Sequence, residues 1–514
     1  MAAILLNKAL ITWLLLPFAV AFLAALLPRF GPVLALLAGV STVVVGLWAL
    51  LGGTLQLDLI GEQGVQLQID ALAAPFLLLN GLVVLAVLLD RWGQPSPGPF
   101  QVLLPVLLGG LNSAFLAVDL VSLYVALEVV GITAFLLILQ KREVCQLWVA
   151  LRYLLVGNAV MTLYLVGVAV LYLHTGSFRI AALADFPPAD GALSVIVALL
   201  LVGLLTKSGL FLSGLWLPRT HAEAPAEISA LLSGVVVAGG LCPLLRLAEQ
   251  LPGLQPLLTW IGLASALLGL LYALLESDLK RLLAWSTLSQ VGLIVINPPV
   301  GGLYALSHGL AKAALFLVAG RAPTRSLDHW TSHPLPTGLA LPLALGGLSI
   351  AGSPLLLGQG VKELLFRVPL GGFAGLPAPT AAWLLPLLSV GTAAIYARLL
   401  WVPVRPGPMQ QAPGALLLVL LLLLAPLLAG PTLELSTPAS ALPKTLAVLA
   451  AGAGAEALRR ALARLRLQPL PLPHLERLVD LLGGMALVGA GLLLAMLGLE
   501  LPLGVEPKLV SWRG

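Results

Sequence analysis

Cysteine, charge and long polar loops are all scarce in this chain, and each shortage closes off a class of function. The two cysteines, Cys145 and Cys242, are too far apart for a CxxC pair, and the six histidines are scattered. The cysteine pattern therefore gives no support to iron–sulfur, haem or zinc chemistry, and we expect no metal and no cofactor. No Walker A loop is present, nor a GxGxxG opening a helix after a strand, so nucleotide use has no signature either. Only 10% of residues are charged, against roughly 25% in soluble domains. No polar stretch is long enough to read as a soluble domain.

What remains is apolar. Hydrophobic residues make up 60% of the 514 positions, and the mean hydropathy is +1.05. The apolar residues come in runs of about 18 to 25, the length that crosses a hydrocarbon core as a helix. Strand-like alternation is missing, which argues against a lipid-facing barrel. The expected class is all-α: a polytopic transmembrane helical bundle of about 14–16 helices, with 1–514 as one membrane domain. The net charge of +5 does not point to nucleic acid, because the basic residues sit in short loops between apolar runs.

The first run, "AILLNKALITWLLLPFAVAFLAALL", is too long for a signal-peptide core and reads as a retained helix. Thirteen further segments follow up to residue 430, among them 193–217, 302–320 and 338–368. Beyond them lie runs at 443–458 and 479–500, separated by the arginine-rich "EALRRALARLRLQ". Its pattern predicts an amphipathic interfacial segment near 455–470. The loops on one side carry twelve cations, Arg29, Arg91 and Arg321 among them; the loops on the other carry Arg179, Arg246 and Arg367. That asymmetry makes the first side cytoplasmic and puts the N-terminus on the non-cytoplasmic side.

Against this background four ionisable residues stand inside apolar runs. Glu128 sits in "SLYVALEVVGITAFLLI", Lys207 in "ALLLVGLLTKSGLFLSGLWLP", Lys312 in "SHGLAKAALFLVAG" and Lys362 in "AGSPLLLGQGVKELLF". His308 lies four residues before Lys312, on the same helical face. The last run is interrupted by Pro354, Gly358 and Gly360. A charge at the bilayer centre costs about 2.5–3.5 kcal/mol on insertion scales, so the four together cost on the order of 10 kcal/mol unless they meet protein, water or each other. One buried lysine can snorkel, and one glutamate can pair for packing. Four central charges on four helices point instead to a proton relay. A lysine taken out of water releases its proton more readily, and a nearby carboxylate reverses that. Histidine titrates near neutrality without help. Lys8 lies near a chain end and receives no role, while Asp70 and Asp119 read as helix N-terminal or interfacial groups.

Five stretches between about 119 and 368 carry a resemblance: "DLVSLYVALEVVGITAFLL", "LLTKSGLFLSGLWLPRTHAEAPAEISALLSG", "ESDLKRLLAWSTLSQVGLI", "LSHGLAKAALFLVAG" and "GSPLLLGQGVKELL". The chain resembles the antiporter-like membrane subunits shared by Mrp-type cation/proton antiporters and the complex I proton pumps. "LPRTHAEAPAEISALLSG" is closer to the Mrp D-type subunit. The resemblance implies fourteen helices holding two inverted five-helix repeats, here 97–250 and 257–402, followed by C-terminal helices in 403–514. It places Lys207 and Lys362 on the broken fourth helix of each repeat. It matches Glu128 to the acid that pairs with Lys207, His308 and Lys312 to the central sites, and Lys362 to the distal lysine. It also implies hydrophobic partner subunits in a hetero-oligomeric complex, membrane lipid, and protons with Na⁺ as cargo. The membrane would be a bacterial cytoplasmic membrane, or a thylakoid.

Two departures stand out. The family's "PFHSWLP" is "LSGLWLP" here, with Leu212 for the proline and Gly214 for the histidine. The positions where many members carry a bridging lysine or histidine hold Ala238 and Ser233, so the relay between Lys207 and the central pair lacks an ionisable bridge. The readings left open are a proton-translocating subunit of a multisubunit Na⁺/H⁺ antiporter, an antiporter-like subunit of a complex I-like NAD(P)H or ferredoxin:quinone oxidoreductase, and a structural partner in an inorganic-carbon uptake complex. In each case the chain itself would be a non-enzymatic subunit.

Overall fold

The structure is a computed structural model and describes residues 2–59, 64–94, 98–141, 143–187, 191–330, 332–366, 378–429, 441–464, 473 and 475–498. The order of elements is α1 (Ala2–Leu26), α2 (Gly31–Leu50), β1 (Leu55–Asp58), β2 (Gln66–Ile69), α3 (Ala73–Asp90), α4 (Gly98–Leu116), α5 (Leu120–Ile138), α6 (Val144–Thr175) and α7 (Gly191–Ser208). There follow α8 (Leu217–Glu223), α9 (Ala226–Leu231), α10 (Val237–Gln250), α11 (Gln255–Leu275), α12 (Leu279–Ile296), α13 (Pro298–Ala319), β3 (Leu335–Pro336), α14 (Thr337–Ala351), α15 (Leu357–Phe366), α16 (Ala378–Leu400), β4 (Val404–Arg405), α17 (Pro413–Ala429), α18 (Leu442–Arg464) and α19 (Leu478–Gly498).

Thirteen helical segments among the described residues are long and apolar enough to cross a bilayer, which makes the chain a multi-pass membrane protein. They are not buried alike. The apolar windows of α12 and α13 are each 94% buried, against 33% for α1 and 22% for α19. The helix that carries His308 and Lys312 is thus among those most shielded from lipid, as the cost of polar groups in hydrocarbon requires. One set of helices, α4 to α10, contains five such segments; a second, α11 to α16, contains four, with the shorter apolar α14 fourth in order.

The fourth crossing of each set is discontinuous. After Ser208 the chain passes Gly209 (φ +71°) and Phe211 (φ +48°), makes one tight turn, and resumes as α8. The break that the resemblance implies beside Lys207 thus falls within the apolar 193–217 run, just after Ser208. Freed backbone groups at the break find side-chain partners, as the membrane interior demands. Trp216 Nε1 donates to Thr206 O at 2.9 Å, and Phe211 N donates to Ser265 Oγ at 2.9 Å. After Ala351 a second break passes Gly352 (φ +86°) and Leu355 (φ +70°) before α15. A π-helical turn at Leu232–Val236 joins α9 to α10.

Asp70 and Asp119 act as helix starts. Asp70 Oδ1 accepts from Ala73 N at 2.8 Å, and Asp119 Oδ1 from Ser122 N at 2.7 Å. Asp70 also pairs with Arg246 at 2.5 Å. At the other end of the bundle the loop cations are tied into Arg91–Glu227 (2.5 Å), Arg281–Glu276 (2.8 Å), Arg281–Glu476 (2.5 Å), Arg325–Asp278 (2.9 Å) and Arg321–Asp90.

Of the segment read as interfacial near 455–470, residues 465–470 lie outside the described residues. Residues 455–464 are the last turns of α18, which lies lengthwise on α16. Lys444 stands 4.5 Å over the Phe366 ring at one end, a side chain at Gly452 would meet Ala393 Cβ at 2.4 Å, and Arg460 stands 4.5 Å over Trp401 at the other end. Buried Glu456 accepts from Arg459 and Arg460 at 2.6 and 2.7 Å, which neutralises part of the arginine-rich face. The extra run at 479–500 becomes α19, packed on α7 and on its break: a side chain at Gly484 would meet Leu212 Cβ at 3.1 Å.

Candidate functional site

Lys207 ends α7 one residue before the first break, and α5 brings Glu128 to it. Lys207 Nζ lies 3.2 Å from Glu128 Oε1, and the two side chains are 9% and 18% exposed. Gly131 and Gly157 leave the space: a side chain at either would sit 3.0 or 3.6 Å from the ammonium. A cavity of ≈ 10 Å³ adjoins Lys207, lined by Asn158, Thr206 and Trp216 among others, and about that volume admits one water. An ion pair this shielded is held by attraction, and removing either partner leaves an uncompensated charge.

His308 and Lys312 lie one turn apart on α13 and are 4% and 0% exposed. They face protein rather than lipid. They are not bonded to each other. Lys312 Nζ donates to Leu283 O at 2.8 Å and stands 5.6 Å from the Tyr396 ring centroid. Leu283 O also accepts from Thr287 Oγ1 at 2.9 Å, and Thr287 shares a 2.8 Å hydrogen bond with Ser233 Oγ. Hydroxyl groups therefore occupy the gap where the sequence lacks an ionisable bridge, and the π-helical turn is the segment that carries Ser233 to Thr287. Ala238 is buried and contributes no polar atom.

On the far side of His308 a second cavity of ≈ 10 Å³ is lined by Gln290, Tyr304, His308, Ser349 and Lys362. Both His308 ring nitrogens, Ser349 Oγ and Lys362 Nζ face no protein partner. Four polar atoms around a water-sized space is the environment in which a bridging water is favourable. Gln290 accepts from Tyr304 Oη at 2.9 Å and donates to Thr392 Oγ1 at 3.3 Å. Lys362 also borders a third cavity, ≈ 20 Å³, with Glu363, Ser389 and Lys444. Gly352 makes room for its stem, since a side chain there would lie 2.9 Å from Lys362 Cδ.

The structure thus brings Glu128 to Lys207, and His308 to the cavity of Lys362. Lys312 is joined instead to the hydroxyl pair through a shared carbonyl. Several polar groups escaped the sequence reading. Ser286, Thr287 and Gln290 form one polar face on an otherwise apolar helix, with Ser286 Oγ 2.8 Å from Tyr396 Oη, and their spacing in "LLAWSTLSQVG" is the signal that was there to find. Lys280, counted among the loop cations, is buried and donates to Ala224 O at 2.5 Å. His221 is fully buried with Nδ1 2.9 Å from Leu217 O. His329 and His333, spaced four apart, lie exposed in the turn after α13, and no group of three or more metal-ligating side chains occurs among the described residues.

Residues 117–370 match the family described as NADH:quinone oxidoreductase/Mrp antiporter, transmembrane. Over 327 residues the chain is 33% identical to NADH-quinone oxidoreductase subunit N of Desulforudis audaxviator, covering 57% of this chain and 64% of that one. It is 36% identical over 231 residues to the D-type subunit of the Na⁺/H⁺ antiporter of Alkalihalophilus pseudofirmus, covering 42% and 47%. The matches span less than two thirds of either relative's length. Among solved structures, the Mrp complex of a Dietzia species contains a chain that superposes with a TM-score of 0.77 at 25% identity, covering 94% of this chain and 59% of that one.

Proposed function

Residues 117–370 place the chain in the NADH:quinone oxidoreductase/Mrp antiporter transmembrane family, and from that premise we propose that it is a proton-translocating membrane subunit of a multisubunit Na⁺(cation)/H⁺ antiporter. The observation that carries this reading is the shielded Glu128–Lys207 ion pair beside a broken helix. While Glu128 holds Lys207, the lysine keeps its proton. When that attraction is weakened, the desolvated ammonium yields the proton inward. Lys312 and His308 form the middle of the route, with the Ser233–Thr287 hydroxyls positioning Lys312 through the shared carbonyl, and Lys362 with its two cavities forms the outlet. On this reading 97–250 and 257–402 are the two repeats, each contributing one lysine at a broken helix.

The cation-rich loops support a cytoplasmic assignment for their side and a non-cytoplasmic N-terminus in a bacterial membrane. Lys362 then discharges toward the non-cytoplasmic end, where α15 ends and α18 begins. The hydrophobic partners implied are the other subunits of such an antiporter. The chain carries no redox work of its own under this proposal. The second reading, an antiporter-like subunit of a complex I-like oxidoreductase, rests on the 33% identity over 327 residues with the subunit N relative. In it the same relay would answer to redox subunits elsewhere. The test common to both is Lys207→Ala, which we expect to abolish proton movement in everted vesicles while the protein remains inserted. Undiminished Na⁺-dependent proton movement in that variant would overturn the relay. Co-purified iron–sulfur subunits would favour the second reading over the first.

A further inference from the structure

At the end of the bundle that carries the loop cations, the start of α2, residues 91–94 after α3 and the start of α4 line a cleft of ≈ 510 Å³, within the range of ligand sites. Its lining is unlike the rest of the outer surface. Arg29 is exposed and has no ion pair or side-chain hydrogen bond among the described residues. Arg91 gives one nitrogen to Glu227 at 2.5 Å and lies 4.5 Å over the Phe100 ring, yet its buried Nε has no partner. Gln101 Oε1, also in the cleft, is buried without a partner. Trp92, 53% exposed, borders the same space, at the depth where tryptophan marks the headgroup level. The cleft thus offers a free guanidinium, a spare donor and a spare acceptor at the membrane surface.

Immediately beside it runs a groove of ≈ 900 Å³ lined by Ala25, Pro28, Val102, Leu103, Leu136 and Leu147. Chain neighbours line the two spaces: Pro28 the groove and Arg29 the cleft, Pro99 the groove and Phe100 the cleft. One ligand chemistry matches a cationic, hydrogen-bonding head continuous with a long apolar trough that opens to lipid. We propose that the pair of spaces binds an anionic glycerophospholipid, with the phosphate on Arg29, headgroup hydroxyls on Arg91 Nε and Gln101 Oε1, and an acyl chain along the groove between α1, α4, α5 and α6. Basic pockets between helices on the cation-rich side are the sites that recognise such lipids. This site is separate from the relay and stands whether or not the proposed transport does.

The test uses the full chain reconstituted in bilayers of equal phosphatidylglycerol and phosphatidylcholine, then extracted and examined by native mass spectrometry. Phosphatidylglycerol should be retained in preference to phosphatidylcholine, and Arg29→Gln should reduce that retention about fivefold, the attraction of one basic side chain for an anionic lipid surface. Arg405→Gln, which removes an exposed cation elsewhere, should leave retention unchanged. Equal retention of the two lipids, or unaltered phosphatidylglycerol in Arg29→Gln, would refute the site. A benzophenone side chain placed at Leu136 in native membranes adds a second reading. Lipid adducts support the proposal, and an adduct to a neighbouring protein subunit overturns it.

Discussion

The two broken helices place a lysine beside irregular backbone, but they surround it differently. At the first break, Lys207 precedes the discontinuity, meets a carboxylate at 3.2 Å, and the freed backbone groups are taken up by Trp216 and Ser265. At the second, Lys362 follows the discontinuity, faces no protein partner, and lies between two water-sized cavities. The first site holds a charge pair beside a single water-sized cavity. The second leaves a cation dependent on hydration. The same backbone device therefore sets one lysine against a carboxylate and leaves the other beside water-sized space.

The largest expected effect separates these two environments directly. Glu128→Leu leaves Lys207 as a shielded cation without a partner, which should cost about 3 kcal/mol of stability, the low end of the range for breaking a buried pair, because Glu128 is still 18% exposed. Lys362→Met removes a cation that has no carboxylate to lose, and stability should hold or rise. Thermal unfolding of the two variants in the same detergent measures the contrast. Equal losses would show that the two lysines are held alike.

A smaller effect tests what keeps the breaks in place. Both are pinned by a glycine against a carbonyl oxygen. A side chain at 214 would lie 2.2 Å from Gly209 O, and one at 358 would lie 1.8 Å from Ser349 O. Restoring the family's histidine by Gly214→His should therefore destabilise by about 1–3 kcal/mol through overpacking rather than add a relay group. Gly358→Ala should do the same at the second break. A fully stable Gly214→His protein with raised transport would mean that the departure is a lost relay group and not a steric choice.

How far this was legible follows from the same comparison. The expense of charge in an apolar run exposed Glu128, Lys207, Lys312 and Lys362, because residue type alone decides that cost. The second break announced itself through Pro354 and its glycines. The first came only from the resemblance and not from composition, since Leu210, Leu212 and Leu215 keep the run apolar while positive φ at Gly209 and Phe211 turns the chain. The π-helical turn was hidden for a related reason: Leu232–Val236 holds ordinary helix formers apart from Gly234, and an extra residue per turn leaves no compositional mark. Lys280 and Arg246 read as loop cations because burial by neighbouring helices is a tertiary fact. The interfacial segment read near 455–470 rested on its arginines, and what the pattern could not convey was that Glu456 collects two of them against α16.

The smallest effect concerns the gap between the lysines, where hydroxyls stand in place of a titratable bridge. Ser233 and Thr287 share one hydrogen bond, and Thr287 and Lys312 both donate to Leu283 O. A carbonyl oxygen only accepts, so a proton cannot pass through it; the arrangement holds Lys312 in place and keeps the Thr287 hydroxyl aimed. Thr287→Val should cost about 1 kcal/mol, the net worth of a neutral hydrogen bond, and Ser233→Ala about the same. If the two act only through their shared bond, the double variant should cost little more than either single one. Proton movement should fall in step with that modest loss if the hydroxyls merely position Lys312. A collapse of transport in Thr287→Val with stability nearly intact would instead make the hydroxyl pair a step of the route, and would set the gap apart from both breaks as the place where this chain's relay is least insured.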